Sequence, residues 1–140
     1  MIPSADRPLG DVEYQALARF RHHLRRFLRF SERAAQAEGL TPAQHQLLLA
    51  IRGHPPGRGS PSIGDLAGVL MRRTHSVVGL VDRAEQKRLV VSHPDPADAR
   101  RRLVDLTERG TQILERLSEL HRRELRSFQH DLMEVFRDLH

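Results

Sequence analysis

The sequence predicts a mainly α-helical protein that carries one small β-hairpin. Three observations predict it. Apolar residues recur at three- and four-residue steps in long segments near both ends of the chain. Two short helical patterns joined by a tight turn occupy the middle. Directly after them the period switches from about 3.6 toward 2, on either side of a connector rich in proline and aspartate. With 140 residues the chain is long enough to bury a real core and most simply forms one domain.

Taken in order, the first helix runs through "YQALARFRHHLRRFLRFSERAAQAEGL", with Leu17, Phe20, Leu24, Phe27 and Leu28 on its apolar side and Gly39 as its stop. The next, "LTPAQHQLLLAIRGHPPG", has Thr41 as N-cap and Pro42 at the first helical position, and it ends at Gly53 before the Pro55–Pro56 pair. "HPPGRGSP" is a loop by composition. Ser62 followed by Asp65 resembles a capping box and starts a short helix through Leu70. "MRR" then turns the chain into a second helix that begins at Arg73 or Thr74, with Val77, Val78, Leu80, Val81 and Ala84 at helical spacing. "RLVVSH" and "RLVDLT" are the two strands of the hairpin, and "HPDPADARRRL" spans the connector. Thr107 caps the final region, whose stripe of Ile113, Leu117, Leu120, Leu125, Phe128, Leu132 and Phe136 predicts a long helix followed by a short terminal one.

Charge and composition narrow the function. The net charge is +5, and from Arg72 to Arg102 eight basic residues face four acidic ones. A second block, Arg19 to Arg33, holds six arginines against Glu32 alone. Clustered positive charge of this kind suits a polyanion, most often nucleic acid. The absence of cysteine removes disulfides, thiolate metal sites and thiol redox sensing together. "MIPSADRPLG" contains no apolar signal core, and no run approaches the roughly 18 apolar residues of a membrane span, so a cytoplasmic protein is expected.

The runs "LTPAQHQLLLAI", "SIGDLAGVL", "SVVGLVDRAEQKRLV" and "DPADARRRLVDLTERG", in this order and spacing, resemble the MarR family of winged helix-turn-helix regulators. The resemblance is close over about residues 40 to 112 and looser in the flanking helices. It implies a winged helix-turn-helix region over 40–107 with its wing at about 89–107, and dimerisation helices over 11–38 and 108–140. It further implies a homodimer that sets the second helix of the motif in the major groove of double-stranded DNA and the wing in the flanking minor groove. The sequence departs from the family in two places. Arg88 stands where a helix-ending glycine is usual, and Gly79 where the side chain is commonly larger and polar.

On that footing Thr74, His75 and Ser76, early in the second helix, are expected to reach base edges or phosphates. Arg72 and Arg73 are expected on phosphates, and Arg83 either on DNA or in a local ion pair with Asp82. In the wing, Asp98, Arg100, Arg101 and Arg102 are the candidates. Asp98 can hold the Arg100 guanidinium, as in the family's D-x-R element, and aim it at a narrow minor groove. Phe20, His23, Phe27, His45 and His121 are the candidate lining of a cleft for a small organic anion or phenolic effector. The basic block of the first helix is expected to be solvated or structural.

Other chemistries find no support in the residues. There is no G-x-S-x-G, no phosphate-cradling glycine loop and no H-E-x-x-H. His22 and His23 are adjacent and so point about 100° apart on a helix, and the remaining histidines are scattered, so no metal and no cofactor is expected. The expectation is a sequence-specific transcriptional regulator, a homodimeric repressor on a pseudo-palindromic operator, relieved by a small molecule. A non-specific architectural DNA-binding protein and an interaction module that has lost DNA binding are the competing classes.

Overall fold

The computed structural model describes residues 7–139. Its elements are α1 (Asp11–Ala37), α2 (Pro42–Arg52), a single 3-10 turn (Pro56–Arg58), α3 (Ile63–Leu70), α4 (Thr74–Gln86), β1 (Val90–Pro94), β2 (Arg102–Leu106) and α5 (Glu108–Arg137). The chain divides into two compact units: Glu32–Glu119, and the described parts of residues 1–31 and 120–140.

Local chemistry sets the boundaries in the larger unit. Thr41 accepts from the Gln44 backbone while the Gln44 side chain accepts from the Thr41 N–H, a full capping box ahead of Pro42. Ser62 and Asp65 do the same for α3 at 3.1 and 3.0 Å. The Ser62 backbone and side-chain bonds hold the Asp65 carboxyl below its ordinary range against the opposing effect of burial. Thr107 caps α5, accepting from the Gly110 N–H at 3.0 Å. The end of α4 departs from the usual solution. With no glycine there, Arg88 itself adopts the left-handed conformation, φ 62°, and the Leu89 N–H reaches back to the Ala84 carbonyl at 3.0 Å.

The core of this unit joins all its layers. Leu47, Leu48 and Ile51 of α2, Ile63 and Leu66 of α3, and Val77, Leu80, Val81 and Ala84 of α4 pack with Leu89, Val90 and Val104 of the hairpin and with Ile113, Leu114 and Leu117 of α5. β1 and β2 are antiparallel, with Val90 opposite Leu106 and Pro94 opposite Arg102. Pro94 closes the strand, where a residue without an N–H does least harm. On its other side β2 is fastened to the entrance of α3: the Val104 N–H donates to the Pro61 carbonyl at 2.9 Å and Leu103 bridges Ser62.

In the smaller unit Ala16 and Val135 are fully buried, Phe27 stacks on Phe128 with centroids 5.1 Å apart, and Arg19 pairs with Asp138 at 2.5 Å. Val12, Tyr14, Leu17 and Leu28 of α1, and Leu120, Leu125, Met133 and Phe136 of α5, remain exposed. One expectation is corrected. α5 is a single helix of 30 residues, not a long helix followed by a short one. Between Thr111 and Arg137 there is no glycine or proline to break it, and Leu, Glu and Arg, strong helix formers, dominate.

Candidate nucleic-acid interface

The positively charged segments of the larger unit project from two adjoining elements. At the turn between α3 and α4, Met71 takes the left-handed conformation, φ 54°, and is 92% exposed. The chain thereby turns within three residues, with Arg73 as the N-cap of α4 in extended conformation and Thr74 as its first helical residue. Arg72, Arg73, Thr74 and His75 are exposed and Ser76 is half-buried. Val77, Leu80, Val81 and Ala84 hold the opposite face of α4 in the core. The N-terminal turn therefore offers four side chains in a row to solvent, two arginines, a threonine and a histidine, beside the positive end of the helix dipole.

Further along, Arg83 is exposed, and its guanidinium lies over Gly79: a β-carbon there would come within 3.3 Å of Arg83 Nη1. The glycine thus gives the arginine room to lie along the helix. Of the two alternatives for Arg83, the local ion pair with Asp82 does not form. Asp82 bonds Arg102 instead.

The hairpin carries the remaining candidates outward. Asp95 accepts from the Ala97 N–H at 2.9 Å, and the Asp95 N–H donates to the Arg101 carbonyl at 2.8 Å, closing the tip. Asp98 Oδ1 accepts from both the backbone N–H of Arg100 at 3.1 Å and its Nε at 3.2 Å. These bonds hold the Asp98 carboxyl below its ordinary range. Arg100 itself is 92% exposed at its side chain, so it is tethered near its root and free at its end.

Arg101 and Arg102 are placed differently. Arg101 turns back to Asp95 at 3.2 Å, with Asp65 of α3 at 3.9 Å, and borders a small cleft of about 350 Å³ with His54, Arg58 and Ser60. Arg102 reaches Asp82 and Glu85 on α4. Lys87, counted in the basic excess, donates to the Gly39 carbonyl and to Gln44 Oε1, both at 2.9 Å, and so ties α4 to the start of α2. A further chain was not anticipated from the sequence. His93 Nε2 lies 2.8 Å from Asp105 Oδ2, and Ser60 donates to Asp105 Oδ1 at 2.5 Å. Its sequence signal was the period-2 spacing that sets Asp105 and His93 on facing strands, two registers apart.

The effector candidates fall in both units. Phe20, His23, Phe27 and His121 belong to the smaller one, where Phe27 meets His121 edge-on at 6.1 Å and His121 Nε2 lies 2.8 Å from Ser31 Oγ. His23 Nδ1 stands 3.4 Å from Asp131 Oδ2, closing into an ion pair only when the imidazole is protonated. His45 belongs to the larger unit and is buried in the first turn of α2. Among the described residues no group of three or more His, Cys, Asp or Glu could hold a metal ion, and no helix is long and apolar enough to cross a membrane.

Comparison with known proteins is consistent with this geometry. The model of the MarR family matches residues 38–101. BadR of Rhodopseudomonas palustris, a transcriptional activatory protein, is 39% identical over 87 residues, which are 62% of this chain and 49% of BadR; the chain thus aligns with only about half of that relative. NicR of Pseudomonas putida, an HTH-type transcriptional repressor, is 30% identical over 113 residues, 77% of this chain and 68% of NicR. Among solved structures, BpsR of Bordetella bronchiseptica, studied for the regulation of its DNA binding by 6-hydroxynicotinic acid, superposes with a TM-score of 0.63 and 26% identity over 77% of this chain and 74% of its own.

Proposed function

The chain belongs to the MarR family of transcriptional regulators, and from that premise we propose that it binds a pseudo-palindromic operator in double-stranded DNA as a homodimer. The observation that carries the reading is the pairing of Asp98 with a fully projecting Arg100 at the hairpin tip, in the same compact unit as the exposed Arg72–His75 turn of α4. The helix presents Thr74, His75 and Ser76 to the major groove, Arg72, Arg73 and Arg83 to flanking phosphates, and the wing sends Arg100 into the minor groove, where a narrow A·T-rich segment has the deeper negative potential.

Dimerisation is supported by the apolar side chains that α1 and α5 leave uncovered, Val12, Tyr14, Leu17, Leu28, Leu120, Leu125, Met133 and Phe136. A second copy related by a two-fold axis covers such faces on both chains at once. The role is that of a repressor relieved by a small organic anion. Support for the effector is the aromatic and histidine cluster of the smaller unit, Phe27, Phe30, Phe128 and His121, together with the regulation described for BpsR.

Sequencing the DNA that the protein retains from a random pool tests the reading. An inverted repeat with half-sites about one helical turn apart is the expected result. Retention without sequence preference would make the protein an architectural binder, and no retention would leave an interaction module. Sedimentation at micromolar concentration should give the mass of a dimer.

A further inference from the structure

Arg102 stands at the head of β2, two positions beyond Arg100, and the run of three arginines invites the reading that all three touch phosphate. Its surroundings differ from those of Arg100. Nη2 donates to Asp82 Oδ1 at 3.0 Å and to Glu85 Oε1 at 2.9 Å, and Nε donates to Ser92 Oγ at 2.7 Å. The Ser92 hydroxyl also bonds Glu85. Asp82 and Glu85 lie three residues apart and so on one face of α4. Ser92 belongs to β1 and Arg102 to β2. Three elements therefore meet at one guanidinium, whose side chain is about one-third exposed, against 92% for Arg100.

We propose that Arg102 is a positioning residue that braces the wing against α4, so that recognition helix and hairpin meet DNA as one body. This rests on the DNA-binding reading above. The planar fork of arginine matches the arrangement: its Nε–H and Nη2 protons point in fixed directions and reach a hydroxyl and two carboxylates at once, which a single ammonium on a flexible stem holds less well. The pairing has a second effect. Asp82 and Glu85 sit on the helix assigned to DNA, where two uncompensated carboxylates would repel phosphate, and Arg102 compensates them from within the protein. To reach a phosphate, Arg102 would have to leave both carboxylates. β2 is already fastened at its far side to Pro61 and Ser62. That contact holds the hairpin to α3, and Arg102 supplies the matching hold on α4.

The brace is tested first without DNA. Amide exchange of Asp95 and Arg101, whose N–H groups close the hairpin tip, is measured in the wild type, Arg102→Ala, Arg102→Lys and Glu85→Gln. Exchange should accelerate roughly fivefold or more in Arg102→Ala, clearly in Glu85→Gln, and least in Arg102→Lys, with the core of α4 unchanged. Should Arg102→Ala fail to fold, Glu85→Gln and Ser92→Ala read the same contact. Binding to the selected operator is then followed against salt. The brace predicts weaker binding by about tenfold at an unchanged log–log slope, and a smaller penalty for Arg100→Ala in the Arg102→Ala background than in the wild type, because a wing already loose loses less. A slope shallower by about 0.9 for each subunit, about 1.8 for the dimer, makes Arg102 a phosphate contact. That result, unchanged exchange, or additive penalties would each overturn the proposal. If the wild type binds no DNA, the functional reading fails along with the DNA half of the proposal, and the exchange rates still decide whether the brace exists.

Discussion

The α-carbon of Gly110 packs against the carbonyl of Leu89 so closely that a β-carbon there would lie 2.1 Å from the oxygen and 3.1 Å from the carbon. The same carbonyl accepts from the Thr107 N–H at 3.0 Å, and the Thr107 hydroxyl donates to the Arg88 carbonyl at 2.6 Å. The first turn of α5 is thus seated on the residues that end α4 and begin the wing. In an ordinary helix interior, glycine to alanine stabilises by about 0.5–1 kcal/mol. Here the sign reverses: Gly110→Ala should destabilise by about 1–3 kcal/mol, because backbone on both sides must shift. Urea unfolding reads the sign directly, and a stabilised variant would mean that the junction yields.

Arg88 makes the complementary case. It holds φ at 62° at the C-terminus of α4, a conformation that costs a residue with a β-carbon roughly 1 kcal/mol, and among the described residues no hydrogen bond or ion pair of its guanidinium offsets that cost. Arg88→Gly should raise stability by up to about 1 kcal/mol, part of the gain being cancelled by the freer unfolded chain. Arg88→Ala keeps the strain and removes only the charge, so it should show little change in the same urea unfolding experiment. Equal gains in both would assign the effect to charge.

The elements were legible wherever a local rule decides them. Thr41–Pro42, Ser62–Asp65 and Thr107 mark helix starts through their own side chains, and each caps where its spacing says it should. The candidate site was legible in its D-x-R core for the same reason, since two residues of one turn need no other part of the fold to meet. The fates of Arg101, Arg102 and Lys87 were not legible. Each was one more cation in a basic run, and only the tertiary register sets Arg102 against α4, Arg101 against Asp65 and Lys87 against Gly39. The expected break in α5 shows the opposite limit. A phase drift in the apolar stripe looks like a helix end in a sequence, although nothing in the backbone chemistry ends the helix before Arg137.

A pH dependence follows from the His93–Asp105 pair across the hairpin. The bond to Asp105 raises the His93 imidazole above its ordinary 6.5, against the opposing effect of desolvation. Burial pushes Asp105 up, but the bonds from Ser60 and His93 outweigh it and leave the carboxyl below 3.8. The histidine contribution is complete below pH 6.5 and is lost as pH rises through the higher folded value; the aspartate contribution is complete above 3.8 and is lost as pH falls through the lower one. The pair is therefore whole in mildly acidic solution and loosens toward alkaline pH. Amide exchange in the wing, corrected for intrinsic rates, should show protection falling as pH rises from about 6 to about 8.5. His93→Ala should flatten the profile, and an unchanged profile in that variant would assign the dependence elsewhere.

Arg100 and Asp98 set two physical accounts of the wing against each other. On pure electrostatics Asp98 is a liability, a carboxylate at a hairpin tip that approaches phosphates, and its removal should tighten binding. The geometry argues the reverse. An arginine that is 92% exposed on a projecting loop loses the rotamer freedom of a long side chain when it enters a groove. Asp98 Oδ1 has already fixed the direction of its root by accepting from the backbone N–H and from Nε, leaving both terminal nitrogens clear of that bond. The bond is charge-assisted but lies at an exposed site, where solvent screening limits what its loss can do. Arg100→Ala should therefore weaken operator binding by tenfold or more, roughly the loss of a good groove contact of 1–3 kcal/mol. Asp98→Ala should weaken it by a smaller factor, about threefold to tenfold, and Asp98→Asn, which keeps an acceptor without the charge, should fall between Asp98→Ala and the wild type. In the Arg100→Ala background the Asp98 effect should vanish or reverse, because only the repulsive part of Asp98 remains. Fluorescence anisotropy at one fixed salt concentration measures the wild type and all four variants. Tighter binding by Asp98→Ala in the presence of Arg100 would mean that repulsion outweighs orientation and that the pair is an ordinary solvated one.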